Sequence, residues 1–193
     1  MKSRTWALAV LAALALLATA CTGPSDDVDT PESGDAAADW GVPCPAPSGM
    51  PAGGGDAVTT LTLPCLGGGS TATEAMPLTD GAPMVVNIWA SWCGPCRDEL
   101  PAVQAFAAKG TVGVLGVNTQ DTEDAARSIV EDFGLTFPSR FDPDAQLLTL
   151  LGKRVLPVTV LLTAEGTVAH TYSGPALTEE TLAALVAEHL GVG

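Results

Sequence analysis

The chain is 193 residues long, carries 22 Asp and Glu against 8 Lys and Arg for a formal net charge of −14, and is 47% hydrophobic. That length suits one domain with appendages, and the composition is globular, not disordered. So acidic a chain disfavours nucleic-acid binding and charge-driven docking on anionic lipid headgroups.

Lys2 and Arg4 precede an apolar run over residues 6–18, followed by Thr19-Ala20-Cys21, the layout of a secretory signal ending in a small-residue cleavage site. The run is short for a membrane span. A cysteine directly after Ala20 resembles the bacterial lipoprotein signal, with Ala18 where leucine is usual and Leu17 one position earlier. The resemblance implies cleavage before Cys21 and lipid attached to it, hence a membrane anchor on the extracytoplasmic face of the bacterial cell membrane. Asp26, Asp27, Asp29, Glu32, Asp35 and Asp39 follow with no Lys or Arg among them, which reads as a flexible acidic tether. The expected organisation is a signal peptide over 1–20, a lipid-anchored tether over 21–40 and one folded domain over 41–193.

Residues 57–63, with Val58, Leu61 and Leu63 among threonines, predict an edge strand, and Gly67-Gly68-Gly69 a turn. The apolar run 84–89 predicts a central strand. It delivers Trp92-Cys93-Gly94-Pro95-Cys96 to the start of a helix that ends near Lys109 and carries Leu100, Val103, Phe106 and Ala107 on one side. A cysteine at a helix start meets unsatisfied backbone N–H groups and the positive end of the helix dipole, which depress a thiol's pKa. Cys93 is therefore the candidate attacking thiolate, and Cys96, one turn further in, the resolving thiol of a disulfide exchange. Two cysteines at this spacing also occur in zinc sites, but Cys44, Cys65, His170 and His189 supply no second paired motif for a four-ligand site. No metal or other cofactor is implied. An inert short-loop disulfide is the other alternative, disfavoured because an exposed bond at a helix start is easily reduced.

The run Val85-Val86-Asn87-Ile88-Trp89-Ala90-Ser91-Trp92-Cys93-Gly94-Pro95-Cys96-Arg97-Asp98-Glu99-Leu100-Pro101 resembles the thioredoxin superfamily, and in Asn87, Glu99 and Pro101 it resembles the exported TlpA/ResA-type, DsbE-like branch. The resemblance covers residues 58–193. It implies an α/β, thioredoxin-like fold, with a central mixed β-sheet flanked by helices and an N-terminal strand or loop extension, and thiol–disulfide oxidoreductase activity. Trp92, Gly94 and Pro95 are then substrate-facing. Cytosolic thioredoxins carry an acidic residue where this chain has Asn87. In the exported branch a glutamate three residues after the second cysteine, here Glu99, is implicated in managing that cysteine's proton; a solvated first-turn carboxylate favoured by the helix dipole is the competing reading.

Further along, residues 112–117 predict a buried parallel strand, and 122–133 a helix with Ala126, Ile129, Val130 and Phe133 at helical spacing, ending at Gly134. Phe137-Pro138 and Phe141-Asp142-Pro143 predict a loop, and 145–151 a short helix. Val155-Leu156-Pro157-Val158-Thr159 matches the family pattern in which the proline is cis and lies opposite the cysteine pair. A cis Pro157 would turn the Leu156 backbone outward, for a substrate segment to pair with as an added strand. An ordinary trans proline opening a strand is the alternative. Residues 158–163 and 167–172 predict a hairpin, and Thr178 caps a last helix bearing Leu182, Leu185, Val186 and Leu190 on one face. His170 and His189 each stand alone and are assigned structural roles; Lys153 and Arg154 read as a solvated pair.

Of the five cysteines, Cys21 goes to lipid and Cys93 with Cys96 to redox chemistry, which leaves Cys44 and Cys65. Closing the Pro- and Gly-rich segment between them adds roughly 3 kcal/mol in the chain-entropy model. A structural Cys44–Cys65 disulfide is expected, with a second redox relay as the alternative. The functional expectation is a membrane-tethered thiol–disulfide oxidoreductase that reduces disulfides of exported proteins. The resemblance implies apocytochrome c among its substrates and a membrane electron-transfer thiol protein as its reductant. A disulfide-forming oxidase and a redox-inactive, thioredoxin-fold binding lipoprotein are the alternatives. A peroxiredoxin-type peroxidase fails at Ala90, where those enzymes carry threonine.

Overall fold

A computed structural model describes residues 40–42, 44, 58, 61, 63–68, 78 and 81–192. The expected signal peptide, Cys21 and all of the tether except Trp40 lie outside these residues. The elements, in chain order, are β1 Met84–Trp89, α1 Gly94–Lys109, β2 Gly113–Thr119, α2 Glu123–Phe133, β3 Ser139–Asp142, α3 Gln146–Leu150, β4 Val158–Leu162, β5 Val168–Tyr172 and α4 Glu179–Leu190. The strands form one sheet in the order β3-β2-β1-β4-β5. β1, β2 and β3 run parallel, while β4 is antiparallel to both of its neighbours. This is the mixed, thioredoxin-like sheet that the resemblance implied.

β1 is apolar at every position but Asn87 because the sheet is covered on both faces. Val85 and Trp89 join the cluster made with Leu100, Val103 and Phe106 of α1, Ile129 of α2 and Leu182 of α4. Val86 and Ile88 point the other way, into a cluster with Leu147 and Leu148 of α3 and with Val58, Leu63 and Leu78 of the N-terminal extension. Each fully buried side chain of this size contributes about 1.5–3 kcal/mol, so α1 is fixed on the sheet and its first turn is fixed with it. Gly116 of β2 permits this packing. A Cβ there would stand 2.2 Å from Ser139 Oγ and 3.0 Å from Trp89 Nε1.

Residues 139–142, expected as loop, form β3 and pair with β2. The strand is short, lies between Pro138 and Pro143, and buries Ser139, Arg140 and Asp142, so apolar periodicity does not reveal it. Asp142 accepts the N–H groups of Gln146 and Leu147 at 2.9 and 3.0 Å, and so supplies the polar partner that starts α3. Of the edge strand expected over 57–63, residues 57, 59, 60 and 62 lie outside the described residues, and the described members Val58, Leu61 and Leu63 lie in no strand. Among the described residues, pairing with β3 is made further on, at an isolated antiparallel bridge between Cys65 and Arg140, where the Leu66 N–H donates to Ser139 O at 2.8 Å and the Phe141 N–H to Pro64 O at 2.9 Å.

Beside that bridge Cys44 and Cys65 are joined by a disulfide, with their Cα atoms 5.9 Å apart. The segment before it is held as well: the Trp40 and Gly41 N–H groups donate to Gly67 O at 3.0 and 3.1 Å. The Trp40 ring rests on Gly67, where a Cβ would lie 2.5 Å from the indole, and the Arg127 guanidinium sits 6.0 Å from its centroid. His170 and His189 do not stand alone. Their rings stack with centroids 4.0 Å apart and planes 6° from parallel, because α4 packs beside β4 and β5.

Candidate active site

Cys93 is the N-cap of α1, and its Sγ accepts the Cys96 N–H at 3.2 Å. The Cys93 N–H in turn donates to Ala90 O at 3.2 Å, so the turn after β1 presents the sulfur to the helix N-terminus. An N-terminal N–H and the helix dipole both favour a thiolate there. Gly94 and Pro95 are exposed, Cys93 is 5% exposed and Cys96 is wholly buried. The two sulfurs are bonded, with Cα atoms 5.3 Å apart.

Glu99 is 1% exposed, which overturns the solvated first-turn reading. It shares the sheet-facing side of α1 with Cys96 and Leu100, and its carboxylate is gripped by two donors. The Asn87 side-chain amide donates to Oε1 at 2.8 Å and the Leu177 N–H donates to Oε2 at 3.1 Å. The same Asn87 amide also donates to Thr159 Oγ1 at 3.0 Å. Burial pushes the Glu99 carboxyl above the usual carboxylate range, and the Leu177 and Asn87 donors oppose this only in part. Glu99 therefore keeps a proton at pH values where an ordinary glutamate has lost it. It lies one helical turn beyond Cys96, on the same buried side of α1.

The Leu156–Pro157 bond is cis. β4 pairs with β1 so that Val158 stands opposite Ile88, which sets Pro157 beside Trp89 at the end of β1 from which the Cys93 turn departs. Leu156 is half-buried, whereas Val155 is 64% and Trp92 61% exposed. Lys153 is half-buried and Arg154 exposed. The site also contains residues the sequence did not single out: Thr159 and Leu177 around Glu99, and Ser91, Gln120 and Asp121 around Trp92. Only Asp121 leaves a local trace, as an acidic residue just before the α2 cap Thr122. The Leu177 contribution is a backbone N–H and leaves none.

A family model described as Redoxin matches residues 53–186. The chain belongs to the Redoxin family. This Redoxin is 32% identical over 138 residues to the thiol:disulfide interchange protein HelX of Rhodobacter capsulatus, a match spanning 70% of this chain and 77% of that protein. It is 33% identical over 102 residues to the thiol:disulfide interchange protein DsbE of Escherichia coli K12, over 52% of this chain and 55% of that one. Among solved structures it superposes on a secreted Mycobacterium tuberculosis disulfide oxidoreductase, described as homologous to E. coli DsbE, with a TM-score of 0.59 and 26% identity over 69% of this chain and 98% of that one. M. tuberculosis DsbF, at 24% identity, shares the fold with a TM-score of 0.61, over 70% of this chain and 98% of that one. The relatives are thiol–disulfide oxidoreductases, and this Redoxin is one by the same criterion, with Cys93 and Cys96 at the helix start.

Proposed function

We propose that this Redoxin is an extracytoplasmic, membrane-tethered reductase of disulfides in exported proteins. The asymmetry of the cysteine pair carries the reading: Cys93 Sγ faces the N-terminus of α1, while Cys96 is wholly buried on the Glu99 side. The Cys93 thiolate attacks one sulfur of a substrate disulfide, forming a mixed disulfide and releasing the other substrate sulfur as a thiolate. Cys96 gives up its proton, with Glu99 as acceptor, and attacks Cys93 Sγ. This expels the second substrate thiolate and leaves the Cys93–Cys96 disulfide, so two electrons pass to the substrate. Pro157, with Leu156, Trp92, Gly94 and Pro95, forms the surface on which the substrate segment lies. A separate membrane thiol protein restores the dithiol.

The basic-then-apolar N-terminus ending at Cys21 supports export and lipid attachment, with residues 21–40 as the tether. The secreted M. tuberculosis relative agrees with that compartment. Apocytochrome c cysteines are the substrate class implied by the TlpA/ResA resemblance. Cys93→Ser should abolish reduction of a protein disulfide, and Cys96→Ser should accumulate the mixed disulfide; undiminished turnover by Cys93→Ser sinks the assignment.

A further inference from the structure

Asp121 lies between β2 and α2, outside the cysteine motif, yet its carboxylate holds the residue two positions before Cys93. Oδ2 accepts the Ser91 N–H at 2.6 Å and the Asn118 side-chain amide at 2.9 Å; Oδ1 accepts the Ser91 hydroxyl at 2.7 Å and the Thr122 N–H at 2.9 Å. Capping of α2 does not account for these bonds, because Thr122 Oγ1 already caps that helix by accepting the Ala125 N–H at 3.3 Å. Next to Asp121, the Gln120 carbonyl accepts the Trp92 indole N–H at 2.8 Å. Gln120 has a φ of 51°, a left-handed conformation unfavourable for a residue with a Cβ. Its N–H is tied to Asp142 O at 3.2 Å, so the β2–α2 turn is held where its carbonyl meets the indole.

Trp92 is thus gripped at its ring by Gln120 and at the preceding residue by Asp121, although 61% of it faces solvent. An exposed indole contributes most to recognition when its orientation is fixed before the partner arrives. The cis-proline segment adds Val155, 64% exposed, to the same active end of the sheet.

We propose that Asp121 is a positioning residue: through Ser91, and together with Gln120, it fixes Trp92 as an apolar wall next to Cys93, so that substrate disulfides with an apolar residue adjoining the attacked cysteine are favoured. This deepens the reductase reading above and rests on it. The test compares two disulfide-closed peptides that differ only in Leu or Gly beside the attacked cysteine. The purified wild-type chain prefers the Leu peptide by about tenfold in kcat/KM, the discrimination one apolar side chain can supply. Asp121→Ala brings that ratio to about two. Ser91→Ala deletes a single hydroxyl, leaves the backbone bond to Asp121 in place and gives an intermediate ratio. Loss of folded protein lowers both rates together and leaves the ratio alone, so the ratio separates positioning from stability. A wild type that reduces both peptides equally, or variants that keep the wild-type ratio, overturn the inference. A wild type that reduces neither overturns the reductase reading itself.

Discussion

The Asn87 side-chain amide donates both to Glu99 Oε1, at 2.8 Å, and to Thr159 Oγ1, at 3.0 Å. One buried amide therefore joins the helix that carries Cys96 to the strand that follows Pro157. Its nitrogen has two hydrogens to give, and both are used.

Glu99 makes stability depend on pH in a defined direction. Burial raises its pKa in the folded protein above the ordinary value of 4.5, so the native state binds more protons there than the unfolded chain. Its contribution is fully present below the ordinary value and is lost as pH rises through the folded one. Glu99→Gln, which mimics the protonated form, should therefore gain on the wild type as pH rises above the ordinary value of 4.5. Urea midpoints of the two proteins that stay parallel over that rise contradict this assignment.

Asn87→Ala removes a donor from each of two buried oxygens. A buried acceptor left unsatisfied costs about 1–3 kcal/mol, and a loss of that size in chemical denaturation is expected. Because the Asn87 bond lowers the Glu99 pKa, the variant should also move the Glu99 titration upward. A carboxyl signal of Glu99 that titrates unchanged would show that the bond has no influence on the proton.

The parts of this architecture legible from sequence are those whose signal is local. β1, α1, α2 and α4 announce themselves through apolar runs, helical spacing and capping residues such as Thr122 and Thr178, whose hydroxyls accept from Ala125 and Thr181. β3 stays hidden because it is short and polar, with Arg140 and Asp142 buried by tertiary contacts. Glu99 is ambiguous for a related reason: read from sequence as a first-turn carboxylate it suits solvent and dipole, whereas in α1 it lies beyond the first turn and is buried where Asn87 and the Leu177 N–H reach it. The stacking of His170 on His189 requires β5 and α4 to meet, which spacing along the chain cannot show.

The Cys44–Cys65 bond spans 21 positions of sequence. Replacing both cysteines by alanine should cost about 3 kcal/mol, chiefly by enlarging the unfolded ensemble, while disulfide reduction at Cys93 continues in the folded protein. If activity instead collapses with the fold intact, the pair is a relay and not a staple.

His170 gives the opposite pH dependence to Glu99. Burial, then the facing His189, lowers its pKa, with Glu188 pulling the other way. The folded protein thus binds fewer protons there than the unfolded chain, so the contribution is present above the ordinary imidazole value of 6.5 and is lost as pH falls towards the folded one. As pH falls below the ordinary value of 6.5 the wild type should lose stability relative to His170→Leu; equal losses in the two proteins argue against the stacked pair as a pH-sensitive element.

Reduction of partner proteins requires a low potential at Cys93 and Cys96. The most direct measurement equilibrates the purified protein with glutathione and dithiothreitol buffers and follows the redox state of those two cysteines by alkylation and mass spectrometry. A value near that of thioredoxin, roughly −270 mV, is expected of a reductase recharged by a membrane thiol donor. A value near the strongly oxidising end, roughly −120 mV, would contradict it and make the protein a donor of disulfides to exported chains.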